Sequence, residues 1–139
     1  MGLILDTSIL IEIERRRFDL EGLLDLSPQS EPMMTSISAS ELLHGVERAR
    51  EAEQKARREE RVNQILASFV IQPFDLAQAR VHARIWAGLK ARGEIIGAYD
   101  LLIAAAGVAL GHEVATLNVR EFRRVPGLAV VDGTRFVRV

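Results

Sequence analysis

A chain of 139 residues, 48% hydrophobic and 27% charged, has the size and composition of one ordinary globular domain and lies far from the composition of a disordered segment. It contains no cysteine, which excludes disulfides, thiolate chemistry and cysteine-ligated zinc, and permits a reducing cytoplasm. With 18 Lys plus Arg against 19 Asp plus Glu the net charge is -1, so any affinity for nucleic acid must come from local patches rather than an overall field.

The opening Met1-Gly2-Leu3-Ile4-Leu5-Asp6 has no basic region and reaches a carboxylate too soon for a signal peptide. No apolar run of ~20 residues is present to span a bilayer, so a soluble cytoplasmic protein is expected, with no membrane association. Leu3-Ile4-Leu5 reads as a buried strand, and Thr7 to about Arg16 as a helix with Ile9, Leu10 and Ile13 at helical spacing. Ser27 to Pro32 reads as a loop, followed by a short strand around Met33 to Ser36.

A second helix starts near Ser38, with Leu42, Leu43 and Val46 on its apolar side. It runs into the polar stretch Glu47 to Arg61, interrupted only by Ala49, Ala52 and Ala56. This stretch is helical by propensity and reads as a solvated arm that bends near its middle, with Val62, Ile65 and Leu66 re-entering the core. Phe69-Val70-Ile71 reads as a strand. Asp75 caps a helix from Leu76 to Arg92, stopped by Gly93, with Val81, Ile85, Trp86 and Leu89 as its core stripe. Tyr99 to Leu110 reads as a small-residue helix ending at Gly111, and Glu113 to Leu117 and Leu128 to Val131 as two more strands. Strands alternating with helices predict an α/β fold: a central parallel sheet of about 4–5 strands with helices on both faces. Residues 1–139 show no repeat and no linker and read as a single domain.

Three acids, Asp6, Glu41 and Asp100, each lie where an apolar run meets a helix start. In open parallel sheets, ligands bind beyond the carboxyl ends of the strands, where residues distant in sequence converge. Each acid alone also has a structural reading. Asp6 precedes a helix and suits an N-cap; Ser38-Ala39-Ser40-Glu41 is a capping box in which Glu41 reaches back to the Ser38 amide; Asp100 suits the positive end of a helix. Together, converging carboxylates repel one another and require either a raised pKa or a cation. Mg²⁺ or Mn²⁺ suits such an all-oxygen site, and a phosphodiester is the natural substrate beside it. His44, His82 and His112 show no zinc-ligand spacing, and neither G-x-S-x-G nor G-x-x-x-x-G-K occurs. His44, three residues after Glu41, suits either packing or the surroundings of that acid.

Four segments carry a resemblance: Leu5-Asp6-Thr7-Ser8-Ile9-Leu10, Ser38-Ala39-Ser40-Glu41-Leu42-Leu43-His44-Gly45, Tyr99-Asp100-Leu101-Leu102-Ile103-Ala104-Ala105 and Thr116-Leu117-Asn118-Val119-Arg120-Glu121-Phe122. In this order and spacing, followed by Pro126-Gly127-Leu128, they resemble the PIN-domain family, and within it the VapC-type toxin ribonucleases of type II toxin–antitoxin pairs. The resemblance implies that Asp6, Glu41 and Asp100 form an acidic metal-binding triad, with a hydroxyl from Thr7 or Ser8 near it. Many relatives have Asp where Asn118 stands. Others have Asn there and an acid three residues later, here Glu121, so the fourth ligand is Asn118 or Glu121.

The implied reaction is metal-dependent hydrolysis of RNA, structured transfer or ribosomal RNA first, by in-line attack of water that leaves a 5′-phosphate and a 3′-hydroxyl and so inhibits translation and growth. Implied partners are a second copy of the chain and a small VapB-type antitoxin, with a larger assembly on DNA through the antitoxin. The antitoxin tail would occupy a groove beside the acids, one wall of which comes from the helices between Ser38 and Leu66. Arg120, Arg123 and Arg124 suit RNA phosphates or a solvated surface equally, and Phe18, Phe69, Phe74 and Trp86 read as packing. Two other readings stay open: a catalytically silent PIN-like RNA-binding module, and a Mg²⁺-dependent phosphatase of haloacid-dehalogenase type. The phosphatase class needs a second Asp where Ser8 stands. A receiver-type signalling domain lacks its paired early acids and late Lys.

Overall fold

Gly2–Leu5 (β1) is buried along its whole length in the computed structural model, which describes residues 2–138. A strand covered on both faces belongs in the middle of a parallel sheet. The other strands are Glu31–Thr35 (β2), Val70–Gln72 (β3), Glu113–Thr116 (β4) and Val130–Asp132 (β5). Their spatial order is β3-β2-β1-β4-β5, and every neighbouring pair is parallel. The chain therefore builds outward from β1 through β2 to β3, then crosses back to place β4 on the other side of β1. The β1–β4 boundary is thus the switch point of the sheet, where a crevice opens at the carboxyl ends of the strands.

Among the described residues seven helices cover the sheet: Thr7–Glu14 (α1), Leu20–Leu24 (α2), Ser36–Glu47 (α3), Ala52–Ser68 (α4), Leu76–Ala91 (α5), Ala98–Leu110 (α6) and Val119–Phe122 (α7). A 3₁₀ turn follows at Thr134–Phe136. Alternation along β1 separates two cores. Leu3 and Leu5 face one that includes Ile9, Leu10, Leu42, Val46, Val62 and Ile65. Ile4 faces the other, with Leu89, Ile103, Ala104, Val114 and Phe122. On α6 the run Ala104-Ala105-Ala106-Gly107 is buried and lets the helix lie close to the sheet. A Cβ at Gly107 would stand 2.7 Å from Val114 Cγ2 and 2.9 Å from Leu128 Cδ1.

The five-stranded α/β sandwich is the predicted architecture, with local differences that have physical causes. Helix α3 starts at Ser36 because the Thr35 side chain, rather than Ser38, caps it by accepting from Ser38 N at 3.1 Å. The polar arm breaks between α3 and α4 instead of bending, and α4 folds back alongside α3. Arg58 Nη1 donates to the Gly45 carbonyl at 3.0 Å, and Lys55 pairs with Glu47 at 3.5 Å. Leu43 and Trp86 lie outside the core; Trp86 is 52% exposed and packs beside His82, ring centroids 5.5 Å apart. Helix α1 ends at Glu14, since Arg16 already has a positive φ of 58°. The last strand starts two residues later than expected, at Val130.

Asp75 does cap α5, accepting from Gln78 N at 2.9 Å, and Gly111 ends α6 with a φ of 67°. Among the described residues no helix is long and apolar enough to cross a membrane.

Candidate active site

Asp6 leaves the carboxyl end of β1 at the switch point and is 1% exposed. Its Oδ2 accepts from the hydroxyls of Ser8 and Thr116, each at 2.7 Å. Those hydroxyls are themselves fixed: Ser8 Oγ accepts from Leu117 N at 3.1 Å, and Thr116 Oγ1 accepts from Asn118 N at 2.9 Å. The other oxygen, Oδ1, is buried with no hydrogen-bond partner. Burial pushes the Asp6 carboxyl upward from its ordinary value, and the two hydroxyls oppose that shift by stabilising the anion. Asp6 precedes α1, yet its side chain makes no capping hydrogen bond. The backbone amides of Thr7 and Ser8 add to the stabilisation of the anion.

Asp100 lies in the first turn of α6, half-buried, and its Oδ2 accepts from Asn118 Nδ2 at 3.3 Å. Its carboxyl is pushed up to about 7, first by burial and then by the negative charge of Asp6. The Asn118 hydrogen bond opposes this, while Glu121 raises it further. Asn118 and Glu121 reach the site because the short helix α7 begins directly after β4. Three acids from β1, α6 and α7 are therefore within electrostatic reach of one another.

Glu41 is tied instead to Thr7, the residue after Asp6. Thr7 Oγ1 donates to Glu41 Oε1 at 2.7 Å, and Thr7 and Ser38 hydroxyls lie 2.8 Å apart. Since the single Thr7 proton goes to Glu41, Ser38 donates to Thr7. This geometry replaces the expected capping box: Glu41 turns toward Thr7, and the Ser38 amide goes to Thr35. Among the described residues no three carboxylate or imidazole side chains converge tightly enough to cage a cation by themselves. A divalent ion that completes its shell with water and substrate oxygens needs only one or two carboxylates. The partnerless Asp6 Oδ1, beside an Asp100 that resists ionisation, is where a divalent ion fits the protein's own chemistry.

The other sequence-predicted groups fall on either side of this crevice. His44 is exposed near Glu41, whereas His112 Nδ1 accepts from Gly2 N at 3.0 Å, at the amino end of the sheet. Arg120 is exposed on α7. Arg124 is engaged elsewhere: its guanidinium donates to the Ile95 carbonyl, and its own carbonyl accepts from Arg92 at 3.1 Å. Sequence reasoning missed Thr116 and Ser38 as site residues. Their signal was a hydroxyl at the end of an apolar strand, two residues before Asn118, and one in the first turn of a helix, three residues before Glu41.

Comparison with known proteins follows this geometry. The PIN domain family matches residues 3–128. A ribonuclease VapC of Rickettsia bellii is 32% identical over 131 residues, covering 94% of this chain and 96% of its own. A tRNA(fMet)-specific endonuclease VapC of Salmonella typhimurium is 32% identical over 119 residues, covering 85% of this chain and 82% of its own. Among solved structures, VapBC2 from Rickettsia felis, bound to a DNA fragment from its promoter, superposes with a TM-score of 0.84 at 27% identity. That match covers 94% of this chain and 98% of the other. Fold and relatives agree, and the chain belongs to the PIN domain family.

Proposed function

We propose that this chain is a divalent-metal-dependent endoribonuclease, the toxin of a VapC-type toxin–antitoxin pair, acting as one domain over residues 1–139. The observation that carries this reading is the buried, partnerless Asp6 Oδ1 next to an Asp100 carboxyl raised to about 7 by burial, Asp6 and Glu121. Such a pair is poorly arranged for any task the protein performs without a cation. Asp6 and Asp100 would hold Mg²⁺ or Mn²⁺, with Glu121 adding negative charge and Asn118 fixing Asp100. When bound, the ion would supply Lewis acidity toward a phosphoryl oxygen and lower the pKa of water.

The chain's own residues do the rest. Thr7 donates to Glu41 and so aims its carboxylate, which would ligate the ion or orient the attacking water. Ser8 and Thr116 keep Asp6 from rotating. In-line hydrolysis then leaves a 5′-phosphate and a 3′-hydroxyl. The name of the Salmonella relative favours transfer RNA as substrate, with ribosomal RNA the other structured candidate. The structural neighbours are VapBC complexes, some bound to DNA, which supports a VapB-type antitoxin partner, a homodimeric toxin and an assembly on DNA through the antitoxin. The phosphatase reading falls with the family assignment. Ser8, which occupies the place of that class's second Asp, spends its proton on Asp6.

The test is incubation of purified, antitoxin-free protein with total RNA and Mg²⁺, beside EDTA and Asp100→Asn controls. Discrete fragments that vanish in both controls are expected. Fragments unchanged in the variant would signal a contaminant, and intact RNA throughout would leave the catalytically silent binding module as the reading.

A further inference from the structure

The carboxyl end of the sheet continues past the acids onto β5, and there its charge changes sign. In the β4–β5 register Thr116 stands beside Asp132, and Gly133 N donates to the Thr116 carbonyl at 3.0 Å. The hydroxyl of that same Thr116 holds Asp6, so the turn after β5 begins one strand spacing, about 4.8 Å, from the candidate active site. Helix α7 packs on β5. Its Glu121 lies against Asp100, while Arg120 and Arg123, three residues apart and both exposed, share another face.

The turn is stiff. Thr134 donates to Asp132 Oδ1 through its amide at 2.9 Å and its hydroxyl at 2.7 Å. A Cβ at Gly133 would stand 2.8 Å from Ile9 Cδ1, which seats the turn against α1. Arg135 is exposed, yet its guanidinium carbon lies 4.8 Å from the centre of the Phe136 ring, and Phe136 packs edge-on against Phe18. A guanidinium already held over a ring loses little further freedom when it takes a ligand. The Thr134 hydrogen bonds hold the Asp132 carboxyl below its ordinary value, and the charges of Arg123 and Arg135 lower it further, so both guanidinia surround one carboxylate. Arg120, Arg123 and Arg135 nonetheless enter none of the ion pairs found among the described residues.

We infer that Arg123 and Arg135 form a phosphate clamp that carries the RNA strand away from the cleaved bond, across α7 and the end of β5, with Asp132 restraining its affinity. This rests on the ribonuclease reading above and deepens it. A chain of net charge -1 holds a polyanion only through local patches, and this patch adjoins the acids that would cut it. Guanidinium forks match phosphate oxygens in pairs. Arg124, tied to the Ile95 carbonyl, takes no part. The clamp lies on the β4–β5 side of the acids, away from the groove bounded by α3 and α4.

The test is binding of a short single-stranded oligoribonucleotide by fluorescence anisotropy over a range of salt, with Asp100→Asn protein to prevent cleavage. Arg123→Gln and Arg135→Gln should each weaken binding about 5-fold and reduce the salt slope by about 0.7, whereas Arg135→Lys should keep the slope. Arg84→Gln, the same charge change on α5, should alter neither. Asp132→Asn keeps the oxygen that Thr134 needs and should tighten binding; in a network serving only the turn it would weaken or leave binding unchanged. Slopes unaffected by the Arg123 and Arg135 changes, an equal effect of Arg84→Gln, or no gain in Asp132→Asn would overturn the inference. So would arginine-dependent binding of a polyglutamate peptide with RNA binding unaltered, which would assign the patch to an acidic protein partner. Absence of RNA binding overturns it too, while cleavage of total RNA by the parent protein reports separately on the ribonuclease reading.

Discussion

Replacing Asp100 by Asn should abolish RNA cleavage and, in the same protein, raise the stability of the ion-free state. The Asp100 carboxyl is pushed from its ordinary 3.8 up to about 7 by burial and by the charges of Asp6 and Glu121. Between about pH 4 and pH 7 the folded protein therefore keeps a proton that the unfolded chain has released. Stability falls as pH rises through that window and levels off above it. Asparagine cannot ionise, and its oxygen still accepts from Asn118, so the variant escapes the loss. A displacement of this size is worth on the order of 4 kcal/mol undiluted. Asp100 is only half-buried, and solvent screening reduces this to about 1–2 kcal/mol. For a chain of this length about 1 kcal/mol moves Tm by roughly 3–4 °C. In EDTA at about pH 8, Asp100→Asn should thus melt about 3–8 °C above the parent, and at about pH 4 the two should coincide. Calorimetry at both pH values reads this directly. Equal melting at about pH 8, or a less stable variant there, would refute the electrostatic reasoning.

Other outcomes follow from the same geometry. Millimolar Mg²⁺ at neutral pH should raise the Tm of the parent and leave Asp6→Asn unmoved, since only the parent holds the buried anion that an ion relieves. Thr116→Val removes one of two hydroxyl donors to Asp6 Oδ2; a lost hydrogen bond to a charged group costs about 1.5–3 kcal/mol, so a lower Tm and at least about tenfold weaker cleavage are expected. Thr7→Val frees Glu41 and should lower kcat with little change in Tm, measured on the same RNA. Gly107→Val sets a branched side chain against Val114 and Leu128 and should cost about 1–3 kcal/mol by urea titration.

What was legible in the sequence came from strong, local signals. Apolar runs ending in Asp6 and preceding Glu41, together with the small-residue helix after Asp100, placed these acids because parallel strands leave their carboxyl ends on one side of the sheet. Gly93 and Gly111 marked helix ends, both having positive φ in the structure. Helices α2 and α7 are too short to display a period. Without α7 on the page, the link from Asn118 and Glu121 to Asp100 had no geometric basis beyond resemblance. The start of α3 depended on which of two nearby hydroxyl residues, Thr35 or Ser38, capped it, and spacing alone favoured the wrong one. Trp86 fits the apolar spacing of α5, yet it is exposed beside His82 while Leu89, three residues on, is buried. The buried Glu14 gave no warning, because in the sequence it sits next to three arginines and reads as a surface charge.

The central claim is that acids from β1, α3, α6 and α7 serve a divalent ion, and anomalous diffraction from crystals soaked in Mn²⁺ tests it most directly. A single peak beside Asp6 and Asp100, absent from Asp6→Asn crystals, is the predicted result. A protein that cleaves RNA yet shows no such peak, or shows one remote from Asp6, would contradict the account.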